Sequence, residues 1–150
     1  MFRGCSSLTT VLPLDNLSTS FKYVDLNSMY VGCHSITQVD WRNSTLGSKM
    51  YFMNFTFAWC SGLQSVNIAF TINNAQHSFA LCNNLTSATI YANKASWTFY
   101  RCPNLTTIGG QINIVADHTY AFSGVTNCPD GLINDCIFTR CTFAYCDNLI

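Results

Sequence analysis

One phrase recurs along this chain, and it restricts the fold more than any bulk property does. It reads "FAWCSGLQSV" from Phe57, "FALCNNLTSA" from Phe79 and "FYRCPNLTTI" from Phe99. An aromatic ring is followed three residues later by cysteine, then by leucine, then by a small or branched apolar residue. Further copies are "FRGCSSLTTV" from Phe2, "YVGCHSITQV" from Tyr30, a divergent "FSGVTNCPDG" from Phe122 and a truncated "FAYCDNLI" from Phe143. Their anchors are Cys5, Cys33, Cys60, Cys82, Cys102, Val125 and Cys146, which lie 20 to 28 residues apart. A second register runs two residues before the ring, where Phe55, Trp97 and Tyr120 are aromatic and His77 and Cys141 share the slot. A unit this short cannot bury its own apolar side chains and must stack on its neighbours.

From the leucine onward, each unit alternates as a strand does, successive side chains pointing to opposite faces. In "LTSATIY", Leu85, Ala88 and Ile90 point inward, while Ser87, Thr89 and Tyr91 point outward. "LQSVNIA" places Leu63, Val66 and Ile68 inside and Ser65, Asn67 and Ala69 outside. "ITQVDWR" places Ile36, Val39 and Trp41 inside and Gln38, Asp40 and Arg42 outside. The Phe-x-x-Cys return is expected to form a turn of helix. Phe57, Cys60, Leu63, Phe79, Cys82, Leu85, Phe99, Cys102 and Leu105 are then structural core. Pro13, Gly47, "NNAQ" and "GG" fall in loops that absorb the varying unit length, with Gly109 and Gly110 at a bulge or insertion. Composition agrees: Asn, Ser and Thr make up 45 of 150 residues and glutamate is absent, which favours turns and strands over helices. The period is that of leucine-rich repeats. The fold class expected is a repeat solenoid with short parallel β-strands on one face and turn or short-helix returns. It spans residues 1–150 as a single unit of about six to seven repeats.

The pattern F-x-x-C-x-x-L-x-x-[VI], preceded by another aromatic, resembles the BspA-like (Treponema pallidum type) leucine-rich repeats over essentially the whole chain. That resemblance implies a solenoid with a strand-lined face, and a microbial surface or secreted adhesin that binds host proteins. Similar arrays also occur in tail or baseplate components of phages that infect gut bacteria. Two departures stand out. The usual I-x-I-P strand ending is nearly absent, with only "VLPL" from Val11 hinting at it, and the sixth copy has Val125 for the cysteine and Cys128 for the leucine.

Nine cysteines admit three readings. A disulfide framework suits the expected spacing of stacked units, but the number is odd and a cysteine between identical neighbours has no unique mate. A zinc site needs paired ligands converging on one point; Cys136, Cys141 and Cys146 come nearest, in a linear run. The third reading, cysteine as a small, soft, buried apolar residue, accounts for the spacing, the odd count and Val125 together.

Catalysis is poorly supplied. The seven aspartates are scattered, no G-x-S-x-G elbow occurs, and "IGGQI" lacks the third glycine and the basic residue of a phosphate loop. The chain is therefore expected to be non-enzymatic and to need no cofactor or metal. Only 9% of residues are charged and the net charge is zero, which leaves no electrostatic footprint for nucleic acid. No run is long and apolar enough to span a bilayer, and Met1 is not followed by a secretory leader. Five N-x-[ST] triplets, at Asn16, Asn43, Asn54, Asn84 and Asn104, are acceptors only in a glycosylating compartment.

The function expected is a recognition or adhesion module at the cell surface or secreted. It would bind protein or glycan through Gln38, Asp40, Arg42, Ser65, Asn67, Ser87, Thr89 and Tyr91, with Thr10 and Thr107 on the same face. The alternatives are a structural or receptor-binding component of a phage tail or virion, and a scaffold segment attached to an enzyme elsewhere in a longer protein. Neither end carries a polar cap, so neighbouring repeats or chains are expected at both ends.

Overall fold

The computed structural model describes residues 1–14, 22–42, 50–112 and 121–125. Among them six strands and no helix occur: β1 Tyr23–Asp25, β2 Gln38–Trp41, β3 Met50–Phe52, β4 Ser65–Asn74, β5 Ser87–Ala92 and β6 Thr107–Ile112. Every pairing is parallel, in a sheet ordered β1-β3-β4-β5-β6 with β2 also on β4. Strand β4 is long enough for two partners. Its first residues, Ser65 to Ile68, pair with β2, and Ile72 and Asn74 pair with β3.

Period-two burial sets which face each strand turns inward. Val66, Ile68, Phe70 and Ile72 of β4 are buried, as are Ala88, Ile90 and Ala92 of β5 and Val39 and Trp41 of β2. Every residue that the alternation places inward in these three strands is buried, and Phe70, Ile72 and Ala92 continue the same face beyond the segments read as strand. Strands β1 and β3 had no such signature, being only three residues each.

The Phe-x-x-Cys returns are turns, not the short helix expected. The backbone explains the difference. The residue two after each ring has a left-handed φ: Gly4, Gly32, Trp59, Leu81, Arg101 and Gly124. So does the residue two before it at Ser28, Phe55, His77 and Trp97. A left-handed residue every fourth position ends a right-handed helix before it can propagate. Hydrogen bonding follows the same alternation. Phe57 and Trp59 donate sideways to Ser78 O and Ala80 O, whereas Ala58 and Cys60 donate back three residues to Phe55 O and Phe57 O. The pattern repeats one unit on, with Phe79 and Leu81 donating to Thr98 O and Tyr100 O.

Against these turns lies a column of parallel rings. Phe2, Tyr30, Phe57, Phe79, Phe99 and Phe122 stack with centroids 5.5, 5.1, 5.7, 5.6 and 5.5 Å apart. Two polar columns flank it. Cys33, Cys60, Cys82 and Cys102 each point Sγ at the carbonyl of the preceding ring residue, Phe2, Tyr30, Phe57 and Phe79, at 3.0 to 3.1 Å. Thr56, Ser78 and Thr98, all buried, donate their hydroxyls to Leu26 O, Met53 O and Ala75 O. Each net hydrogen bond contributes about 1 kcal/mol, and each stacked pair about 0.5–1.5 kcal/mol beyond its buried area.

Three local expectations are corrected, the first being that Asn73 and Asn74 of "NNAQ" belong to the end of β4 and not to a loop. Gly109 and Gly110 lie inside β6 in unbroken register with Thr89 and Ile90, not in a bulge or loop. Gly110 has φ +88°, and a Cβ there would stand 2.1 Å from Ile90 O, so glycine permits a close strand approach. The segment around Thr10 and "VLPL" is not a strand. Its backbone is held by side chains instead: Leu12 N donates to Tyr30 Oη, and Trp41 Nε1 to Leu12 O. His118, Cys128, Cys136, Cys141, Cys146, Tyr120 and the seventh copy of the phrase lie outside the described residues.

Candidate functional site: the strand-lined face

Parallel register converts the outward residues into columns across the sheet. Gln38, Ser65, Ser87 and Thr107 are direct partners, one column across four strands. Asp40, Asn67, Thr89 and Gly109 form the next. The pairing of β4 with β5 shifts between Asn67 and Thr71, so the third column is Thr71, Tyr91 and Gln111. Neighbouring strands lie about 4.8 Å apart, close enough for one ligand to span several. The face therefore joins Gln38, Asp40, Ser65, Asn67, Ser87 and Thr89 as a contiguous patch. Tyr91 stands beside it, and Thr71 and Gln111 extend it. Those two escaped sequence reasoning because the expected strand after Leu63 stops at Ala69, whereas β4 runs on to Asn74, and because Gly109 and Gly110 are expected in a bulge or loop, whereas they lie within β6.

The chemistry of this face is hydroxyl and amide, groups that both donate and accept. Gln38, Asp40, Arg42, Tyr91 and Thr107 are exposed, while Ser65, Asn67, Ser87 and Thr89 are half-buried in the pleat. Gly109 adds no side chain, and a Cβ there would crowd Thr89 Oγ1 at 2.8 Å, so the Thr89 hydroxyl keeps its room. The charged pair is local: Arg42 Nε and a terminal guanidinium nitrogen donate to Asp40 Oδ1 and Oδ2 at 2.8 and 2.6 Å. Those hydrogen bonds hold the Asp40 carboxyl below the usual carboxylate range. Two residues apart on one face, the pair neutralises itself and is solvent-exposed on both sides, where such pairs contribute little to stability.

All nine residues expected in the core, Phe57, Cys60, Leu63, Phe79, Cys82, Leu85, Phe99, Cys102 and Leu105, are fully buried. The five described cysteines are free thiols, four of them buried and Cys5 exposed. Burial pushes the Cys60 and Cys102 thiols up to about 12, Cys82 well above its ordinary value, and Cys33 upward. Thiols held neutral in this way are poor nucleophiles and poor ligands. No group of three or more His, Cys, Asp and Glu among the described residues is placed to hold a metal ion. His77 sits between the rings of Phe55 and Trp97, at 4.5 and 5.6 Å, and burial lowers its pKa. Among the described residues no helix is long and apolar enough to cross a membrane.

Comparison with protein-family models, with curated proteins and with solved structures finds no match to this chain.

Proposed function

We propose that this chain is a solenoid of BspA-like leucine-rich repeats. On this reading it is a non-enzymatic recognition or adhesion module of a microbial surface protein. It binds protein or glycan through the strand-lined face. The reading is supported by one observation above the others: the in-register columns Gln38–Ser65–Ser87–Thr107 and Asp40–Asn67–Thr89. They make an extended array of donors and acceptors with no net charge, edged by the exposed ring of Tyr91. Such an array suits a neutral, hydrogen-bonding ligand laid across several strands, because each contact is modest and affinity comes from their number. The recurrent Phe, Cys and Leu positions support the scaffold half of the reading.

The test is a binding screen of the whole chain against immobilised neutral oligosaccharides and extracellular host proteins, repeated with Asn67→Ala/Thr89→Val. Both substitutions are on the outer face, so unfolding should stay within a few degrees of the parent. Binding is expected to weaken at least tenfold. Binding that survives the double substitution unchanged, or no binding to either class, would overturn the proposal.

A further inference from the structure

The turn side of the molecule carries a second, unrelated feature. The backbone two residues after each ring is left-handed, and glycine meets that demand at Gly4 and Gly32, with φ of +74° and +70°. A Cβ at Gly4 would meet nothing within 4 Å, and one at Gly32 only the Gly4 Cα at 4.0 Å. Two adjacent units therefore leave a trough. The next unit places Trp59 in the same slot at φ 61°, a conformation unfavourable for a non-glycine residue. Its indole is 47% exposed and stands as a wall at one end of a groove of 490 Å³.

Polar groups meet that wall from two units. His34 Nδ1 lies 3.0 Å from Ser61 Oγ; with the hydroxyl donating, Nε2–H remains a donor to the groove. Arg3 brings a guanidinium, and among the described residues no acidic side chain lines the groove. The amides of Gly4 and Gly32 are already committed to Val31 O and Ala58 O at 2.8 and 2.9 Å. Recognition must then come from the indole face, the guanidinium and the imidazole. A flat apolar surface next to a guanidinium and an imidazole matches a sugar ring, whose C–H edges lie on indole while a carboxylate meets arginine, which holds carboxylates in bidentate fashion. An inorganic anion would leave the exposed indole without a role.

We propose that this groove is a binding site for an acidic saccharide, a pyranose stacked on Trp59 with its carboxylate on Arg3 and His34. The site lies on the turns, away from the strand-lined face, and stands whether or not that face binds anything.

The chain is titrated with digalacturonate and with its neutral counterpart galactobiose, followed by tryptophan fluorescence and calorimetry. Saturable binding of the acid is expected, at least tenfold tighter than the neutral sugar. Trp59→Gly should abolish it with unfolding unimpaired, because glycine suits this backbone, and Arg3→Gln should remove the preference for the acid. Tyr91→Ala on the other face should leave it unchanged. No binding of the acid, equal binding of the neutral sugar, or retained binding in Trp59→Gly overturns the site. Loss in Tyr91→Ala also overturns it, by moving the ligand to the strands.

Discussion

A thiol that donates to the carbonyl of the ring residue in the preceding unit explains why cysteine, rather than alanine, fills the recurring slot. The carbonyl of Phe57 already accepts from Cys60 N, and Cys82 Sγ is its second donor at 3.1 Å. Val125 occupies the equivalent slot with no polar atom to offer, so that interaction is useful and not obligatory. Holding the thiols neutral has a consequence for pH. Cys60 and Cys102 titrate near 12 in the folded chain, but near 8.5 once unfolded. A folded pKa raised above the unfolded one gives stability that is fully present at lower pH and is lost as pH rises through this window. Each such thiol removes about 1.4 kcal/mol per pH unit above the unfolded value. Between pH 8 and 10.5 the two together should cost on the order of 5 kcal/mol, a large share of a typical domain's stability. Urea midpoints measured across that range should fall steeply, and Cys60→Ala/Cys102→Ala should flatten the fall. Midpoints that hold steady to pH 10.5 would mean the thiols are not buried as described.

The stacked column of rings and the hydroxyl column beside it are the elements that align one turn segment on the next. Their contributions differ in kind, and substitution separates them. Phe79 touches Phe57 and Phe99 with interplanar angles of 3° and 13°, so Phe79→Ala removes two stacks and opens a cavity, at about 3–5 kcal/mol. Thr98→Val keeps the volume and loses one hydrogen bond to Ala75 O, a carbonyl that still accepts from Ser78 N; about 1 kcal/mol is expected. Chemical denaturation of the two variants checks the ranking, and an equal loss in both would show that the rings do not set the alignment. Much of this element was legible, because side chains that recur at one slot in parallel copies must meet. The ring positions Phe57, Phe79 and Phe99, and the inward Val66, Ile68, Ala88 and Ile90, follow from period alone. The conformation of the returns was not. Gly4, Gly32 and Gly124 signal a left-handed residue, but Trp59, Leu81 and Arg101 hold the same backbone without glycine and hide the signal. The helix expectation failed there. The groove beside Trp59 was missed for the same reason, since its floor exists only because the slot is left-handed.

Across the molecule, among the described residues, the hydrogen bonds that link the returns and those that enter the strands run in opposite senses. In the returns the amide of the earlier unit donates forward, as Phe57 and Trp59 do to Ser78 and Ala80. Entering the strands the later unit donates back: Gln64 to Thr37, Thr86 to Gln64 and Thr106 to Thr86. Each unit is thereby tied to its neighbours along two edges, and a unit with a neighbour on both sides has about twice the contact of one with a neighbour on a single side. The units around Phe57 and Phe79 are of the first kind. When the 150-residue chain is studied by itself, segment 1–14 meets a neighbouring unit on one side, with its amides at Phe2 and Gly4 bonded to Met29 O and Val31 O. On the proposed solenoid reading, stability is a sum of nearest-neighbour terms and local opening is easiest where one term is missing. Amide hydrogen exchange read by mass spectrometry should therefore show the peptide over 1–14 exchanging at least tenfold faster than peptides over 55–63 and 77–85. A tenfold ratio requires only about 1.4 kcal/mol less local stability, well below the stacking and hydrogen bonds that one neighbour supplies. Uniform protection across all three peptides would mean instead that the chain opens only as a whole, and the additive picture of its stability would fail.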